Sequence, residues 1–151
     1  MNERFMRLAI KEAKKCQALD EVPIGAIIVS NGKVIAKAHN LTETKKLATA
    51  HAEILAINKA SKKYPSWRIE NAEMYVTLEP CPMCAGAILN ARIDKLYFGA
   101  YQENSGAVTS NFNLLSSGVL NHKTEYEGGI LEEECKALIK DYFKQKRQIK
   151  K

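Results

Sequence analysis

The stretch from Met74 to Cys84 constrains the fold more than any other part of the chain. Met74-Tyr75-Val76-Thr77-Leu78 is an unbroken run of β-prone residues, the pattern of a buried strand. Glu79-Pro80-Cys81-Pro82 ends it. Pro82 then opens a helix expected over Pro82 to Ala91, because the first helical position has no partner for the N–H that proline lacks. Lys95-Leu96-Tyr97-Phe98-Gly99 reads as the next strand. Strands alternating with short helices call for an α/β layer fold with parallel pairs in its sheet.

The rest of the chain fits that class. Phe5, Leu8, Ala9, Ala13 and Cys16 share one face of a helix expected to end near Leu19. Ile24 to Val29 and Val34-Ile35-Ala36 flank Asn31-Gly32, a strong hairpin signal. A polar loop from Asn40 to Thr49 leads to a helix from about Ala50 to Lys63, and Leu131, Cys135, Leu138, Ile139 and Tyr142 form a second core-facing stripe. Between Tyr101 and Tyr126 the pattern weakens to loop, with a short helix expected near Phe112–Ser117 and an edge strand near Lys123–Tyr126. The 151 residues hold no repeat, low-complexity tract or Pro/Gly/Ser linker, so residues 1–151 are expected to form one domain.

Composition narrows the function. No apolar run approaches membrane-spanning length, and Met1-Asn2-Glu3-Arg4-Phe5 lacks a secretory core, so a cytoplasmic protein is expected. In that setting four cysteines point to metal binding or catalysis for some of them, and not to disulfides. The net charge of +6 is a mild pull toward phosphate-bearing partners.

Two motifs carry chemistry: His51-Ala52-Glu53 and Pro80-Cys81-Pro82-Met83-Cys84. A Cys-x-x-Cys pair alone is ambiguous between a redox couple, part of a zinc site and two incidental thiols. With Cys81 as the helix cap and Cys84 in the first turn, both sulfurs lie near unpaired N–H groups and the positive helix end, which favours thiolates. His51 is the natural third ligand. His39 lies at a strand end and His122 in a loop. Three protein ligands leave one tetrahedral position open, the mark of a catalytic zinc site, at which water ionises near neutral pH. Glu53 adds a carboxylate able to move protons. Residues two apart on a helix point about 200° apart, so His51 must sit at or just before the first turn for both groups to face one cavity.

His-Ala-Glu followed, 26 residues later, by Pro-Cys-x-x-Cys resembles the zinc-dependent cytidine/deoxycytidylate deaminase family. The resemblance spans nearly the whole chain. It implies a three-layer α/β/α sandwich with a central, mostly five-stranded mixed sheet of the cytidine deaminase-like type. It also implies one zinc ion per subunit held by His51, Cys81 and Cys84, with Glu53 as proton shuttle. Glu21-Val22-Pro23-Ile24-Gly25-Ala26, the segment Tyr75 to Ile88 and Gly129-Ile130-Leu131 look most like the family members that act on tRNA. From these follow hydrolytic deamination of wobble adenosine to inosine, an anticodon stem-loop as partner and a homodimer. By the same resemblance Asn40 hydrogen-bonds the purine, and Phe143, Lys144, Lys146 and Arg147 contact RNA.

Leu47-Ala48 stands where such proteins read Asp-Pro, and Gln102-Glu103-Asn104 where many read Asp-Pro-Lys. Both segments fall where substrate identity would be read. The altered Gln102–Asn104 segment favours the alternative of a deaminase of free nucleobases or nucleosides, of guanine or cytosine type, whereas the basic tail favours RNA. A catalytically silent RNA-binding module is a third reading, against which the intact Glu53 counts. Cys16 and Cys135 sit on apolar helical faces and are expected in the core.

Overall fold

The computed structural model describes residues 1–116, 120 and 122–149. Its spine is a five-stranded mixed sheet in the order β2-β1-β3-β4-β5. β1 (Gly25–Ser30) pairs antiparallel with β2 (Lys33–His39) and with β3 (Ala72–Leu78). β3 pairs parallel with β4 (Lys95–Ala100), which pairs parallel with β5 (Glu125–Glu127). The hairpin turn is the expected Asn31-Gly32, both at positive φ (52° and 75°), the combination demanded by a two-residue turn matching strand twist.

Helices cover both faces of this sheet, making three layers. On one face α1 (Glu3–Lys14) buries Phe5, Met6, Ala9, Ile10 and Ala13, capped at its start by Asn2, whose side chain accepts from the Arg4 N–H at 2.9 Å. It approaches β1 so closely that a Cβ on Gly25 would overlap the Ala9 carbonyl, so only glycine fits there. Phe5, Tyr75 and Tyr97 stack beneath it with ring centroids 5.5 and 4.7 Å apart. α5 (Glu132–Ile149) shares this face and buries Cys135. On the other face, α3 (Ala52–Ser61) lays the stripe Ala52, Ala56 and Ala60 toward the sheet, beside Ala85, Ile88 and Leu89 of α4 (Pro82–Asn90). Small residues at four-residue spacing bring the backbone of α3 near the strands, which sets how deeply its first turn enters the molecule. Cys16 and Cys135 are buried core residues as expected.

Three local expectations need correction. The segment 40–49 is not all loop, since Thr42–Lys45 forms a short helix, α2, held by the buried carboxylate of Glu21. The helix expected near Phe112–Ser117 is absent over residues 112–116, which form irregular backbone and bends; Ser117 lies outside the described residues. Leu114 and Leu115 there bond through their backbones to Ala107 and Thr124, so tertiary pairing replaces helical pairing. The edge strand begins at Glu125, and not at Lys123, because Thr124 is drawn to Ile93 and Leu115. The first helix also tightens into a 3₁₀ turn over Lys15–Leu19 before ending at Asp20 in the left-handed region.

Candidate metal centre and active site

The two motifs meet because two helices start at the same place. His51 caps α3 with extended backbone (φ −73°, ψ 151°), and its carbonyl accepts from the Leu55 N–H. Cys81 caps α4 in the same way (φ −75°, ψ 173°), its carbonyl accepting from the Ala85 N–H, with Pro82 in the first turn. Neither side chain is used as a helix cap, so both can point at a shared centre. The ligand atoms of His51, Cys81 and Cys84 all lie within 4.8 Å of one another. His51 Nδ1 is 3.5 Å from Cys84 Sγ and 3.8 Å from Cys81 Sγ. Ligands on one tetrahedral zinc, with bonds of about 2.0–2.3 Å, lie roughly 3.5–3.8 Å apart, so the donor set fits that ion.

Electrostatics follow the geometry. Cys81 is drawn down to about 4 by the Cys84 thiol that donates to it, with His51 adding to the effect against the cost of burial. Cys84, the donor, is driven well above the usual thiol range by that bond and by burial. His51 is raised, first by the Cys81 sulfur. A metal held by this set would need both sulfurs as thiolates, so its binding would release protons.

Glu53 completes the centre. It is 4% exposed, and burial pushes its carboxyl up to about 7. Its Oε1 is buried without a hydrogen-bond partner. A buried carboxylate oxygen normally has a donor, so an orphaned one beside a metal-type triad marks a place where substrate or water completes the bonding. The cavity around His51, Glu53 and Cys81 is walled by Ile24 and Leu78 and by the polar residues Glu79, Gln102 and Ser105.

Other expected residues are placed as follows. Asn40 is buried at the end of β2, its Nδ2 donating to the Val22 carbonyl at 3.3 Å and its Oδ1 accepting from the Thr42 N–H at 3.3 Å. His39 faces Glu12 and not the centre, with Nδ1 3.5 Å from the carboxylate. On α5, Phe143, Lys144 and Arg147 are exposed. Lys146 is tied back to Asp20 at 3.4 Å and lies over the Tyr142 ring. Sequence reasoning missed two buried carboxylates that shape the surroundings, Glu21 and Glu79. Each sits among backbone amides more than twenty positions away, a signal that no local pattern carries.

This fold and this centre define a deaminase, and the chain belongs to the MafB19-like deaminase family, whose family model matches residues 1–147. It is similar to tRNA-specific adenosine deaminases: 49% identical over 150 residues to that of Bacillus subtilis (99% of this chain, 93% of the relative). The corresponding protein of Aquifex aeolicus is 45% identical over 145 residues (96% and 95%). A solved structure from work on A-to-I editing by tRNA:A34 deaminases at the wobble position superposes with a TM-score of 0.87 at 42% identity, covering 91% of this chain and 99% of that one. A guanine deaminase structure from Bacillus subtilis matches with a TM-score of 0.64 at 39% identity, over 67% of this chain and 66% of that one.

Proposed function

We propose that the protein hydrolyses adenosine to inosine at the wobble position of a tRNA anticodon, releasing ammonia. The observation that carries the chemistry is the orphaned Oε1 of Glu53 beside His51, Cys81 and Cys84. The tRNA substrate is supported by 49% identity over 99% of the chain to a protein of that activity.

His51, Cys81 and Cys84 would hold one zinc ion per subunit, and when bound it supplies a Lewis acid that brings the ionisation of water near neutral pH. Glu53 takes a proton from the water that adds to purine C6 and delivers it to N1. The same carboxyl then carries a proton to the departing amino group, which leaves as ammonia. Burial, which raises the Glu53 carboxyl, eases its uptake of a proton. Ile24 and Leu78 present apolar surface to the flat faces of the base. Asn40 keeps one N–H and one lone pair beyond its two backbone bonds, enough to bond a purine edge. Phe143, Lys144 and Arg147 offer an exposed ring and two cations to single-stranded RNA, with Lys146 beside them. The protein acts as a homodimer in the cytoplasm. Among the described residues no helix is long and apolar enough to cross a membrane.

The second reading, a free-base deaminase, draws on the segment Gln102–Asn104, of which Gln102 lines the cavity, and on the likeness to guanine deaminase. Ammonia release from an anticodon stem-loop, free guanine, cytosine and adenosine, measured side by side, separates the two. Release from the stem-loop at salt-sensitive rates is expected. Turnover confined to a free base would replace the tRNA reading.

A further inference from the structure

Glu79 is 2% exposed and has no part in the proposed proton transfers, yet it lines the cavity. Its carboxylate is the hub of the segment that follows β4. Oε1 accepts from the Gln102 N–H at 3.1 Å and from the Ser110 hydroxyl. Oε2 accepts from three successive backbone N–H groups, those of Val108 (3.0 Å), Thr109 (2.8 Å) and Ser110 (3.0 Å). Three consecutive amides converging on one oxygen form a nest for an anion, here filled by the protein's own side chain. The neighbouring backbone is clamped as well: Ala107 N–H donates to the Pro80 carbonyl at 2.8 Å, and a Cβ on Gly106 would stand 2.5 Å from Glu79 Cδ. Residues 101–110 contain no helix or strand of their own. Five of the hydrogen bonds that shape them therefore converge on this one carboxylate.

The segment it holds includes Gln102 and Ser105, polar residues that line the same cavity as Glu53. We infer that Glu79 is a positioning residue that fixes the 102–110 segment as the substrate-reading wall, so that its loss weakens substrate capture while sparing the chemical step. The inference rests on the tRNA reading for the identity of the substrate, but not for the geometry.

Glu79→Gln is the informative change. The amide keeps volume and one acceptor oxygen, but its other end becomes an N–H₂ facing N–H or O–H donors. Two measurements on the zinc-loaded full chain are required. Amide hydrogen exchange at residues 102 and 108–110 should accelerate at least tenfold in the variant while α3 and α4 stay protected. Kinetics on the anticodon stem-loop should show KM raised by roughly tenfold or more with kcat within about threefold, the pattern of weakened binding with an unaltered chemical step. Ser110→Ala removes one of the donors to Glu79 while leaving the sequence of the segment 79–84 intact, and should shift both readouts the same way by less. It serves if Glu79→Gln fails to fold.

Unchanged exchange at 102–110 would overturn the inference. So would faster exchange with unchanged KM, or a fall in kcat at constant KM, which would place Glu79 in the chemistry through Pro80-Cys81. If the wild type leaves the stem-loop untouched, the tRNA reading fails separately. The exchange pattern, and KM on whichever base is turned over, then decide on Glu79.

Discussion

Glu21→Ala removes a carboxylate that is 0% exposed and that accepts four hydrogen bonds. Two come from backbone N–H groups, Glu43 at 3.1 Å and Thr44 at 2.6 Å, and two from the hydroxyls of Thr42 and Thr44. The hydroxyls can turn to other partners, and because Glu43 and Thr44 are exposed residues water can take over part of their N–H bonding. Hydrogen bonds to a charged acceptor are worth about 1.5–3 kcal/mol each, so with that compensation a destabilisation of roughly 2 kcal/mol is expected. Urea denaturation reads it directly. With a slope near 2 kcal/mol/M, typical for small domains, the midpoint should drop by about 1 M. The effect should also depend on pH. Burial raises the Glu21 carboxyl, but the four bonds outweigh burial and hold it below the usual carboxylate value. A carboxyl depressed in the folded state stabilises above its unfolded value of about 4.3, and that contribution is lost as the pH falls through the folded value. The gap between wild type and Glu21→Ala should thus be full at pH 7 and shrink below about pH 4. A gap under 1 kcal/mol at pH 7, or one constant down to pH 3, would refute the argument.

Two further outcomes are expected. Cys84→Ala should lose most of its zinc by elemental analysis, while replacing Cys16 or Cys135, both buried away from the centre, should leave the metal content unchanged. Deleting residues 144–151 removes Lys144, Lys146, Arg147, Lys150 and Lys151; stem-loop affinity should fall, and the log–log salt slope flatten by about 0.7 for each phosphate no longer neutralised. An unaltered slope in filter-binding titrations would show the tail to be only a solvated face.

Much of this molecule is legible in its sequence because the signals are local. The hairpin needs only Asn31-Gly32 between apolar runs, and the start of α4 needs only Pro82 after a strand. The candidate metal ligands are legible for a related reason: both helices begin on one of them, so the spacing of two short motifs encodes a three-dimensional cluster. What escapes is structure made by one distant side chain. α2 exists because Glu21 reaches Glu43 and Thr44, and the wall at 102–110 because Glu79 reaches five donors. A glutamate and a run of polar residues say nothing separately about meeting. The absent helix at 112–116 escapes through backbone pairing across the chain: the Leu114 N–H donates to the Ala107 carbonyl and the Leu115 carbonyl accepts from the Thr124 N–H.

The central claim is that a zinc-loaded site with Glu53 as its proton carrier converts wobble adenosine to inosine. Nucleoside analysis of an anticodon stem-loop incubated with wild type and with Glu53→Ala tests it most directly, with zinc measured in both. The wild type should yield inosine at the wobble position and leave other adenosines intact. The variant should keep its zinc and lose rate by roughly 10²–10⁴ or more, the usual worth of a positioned proton-transfer group. Inosine formed equally fast without Glu53, or none formed by a wild type carrying its full zinc, would contradict the account.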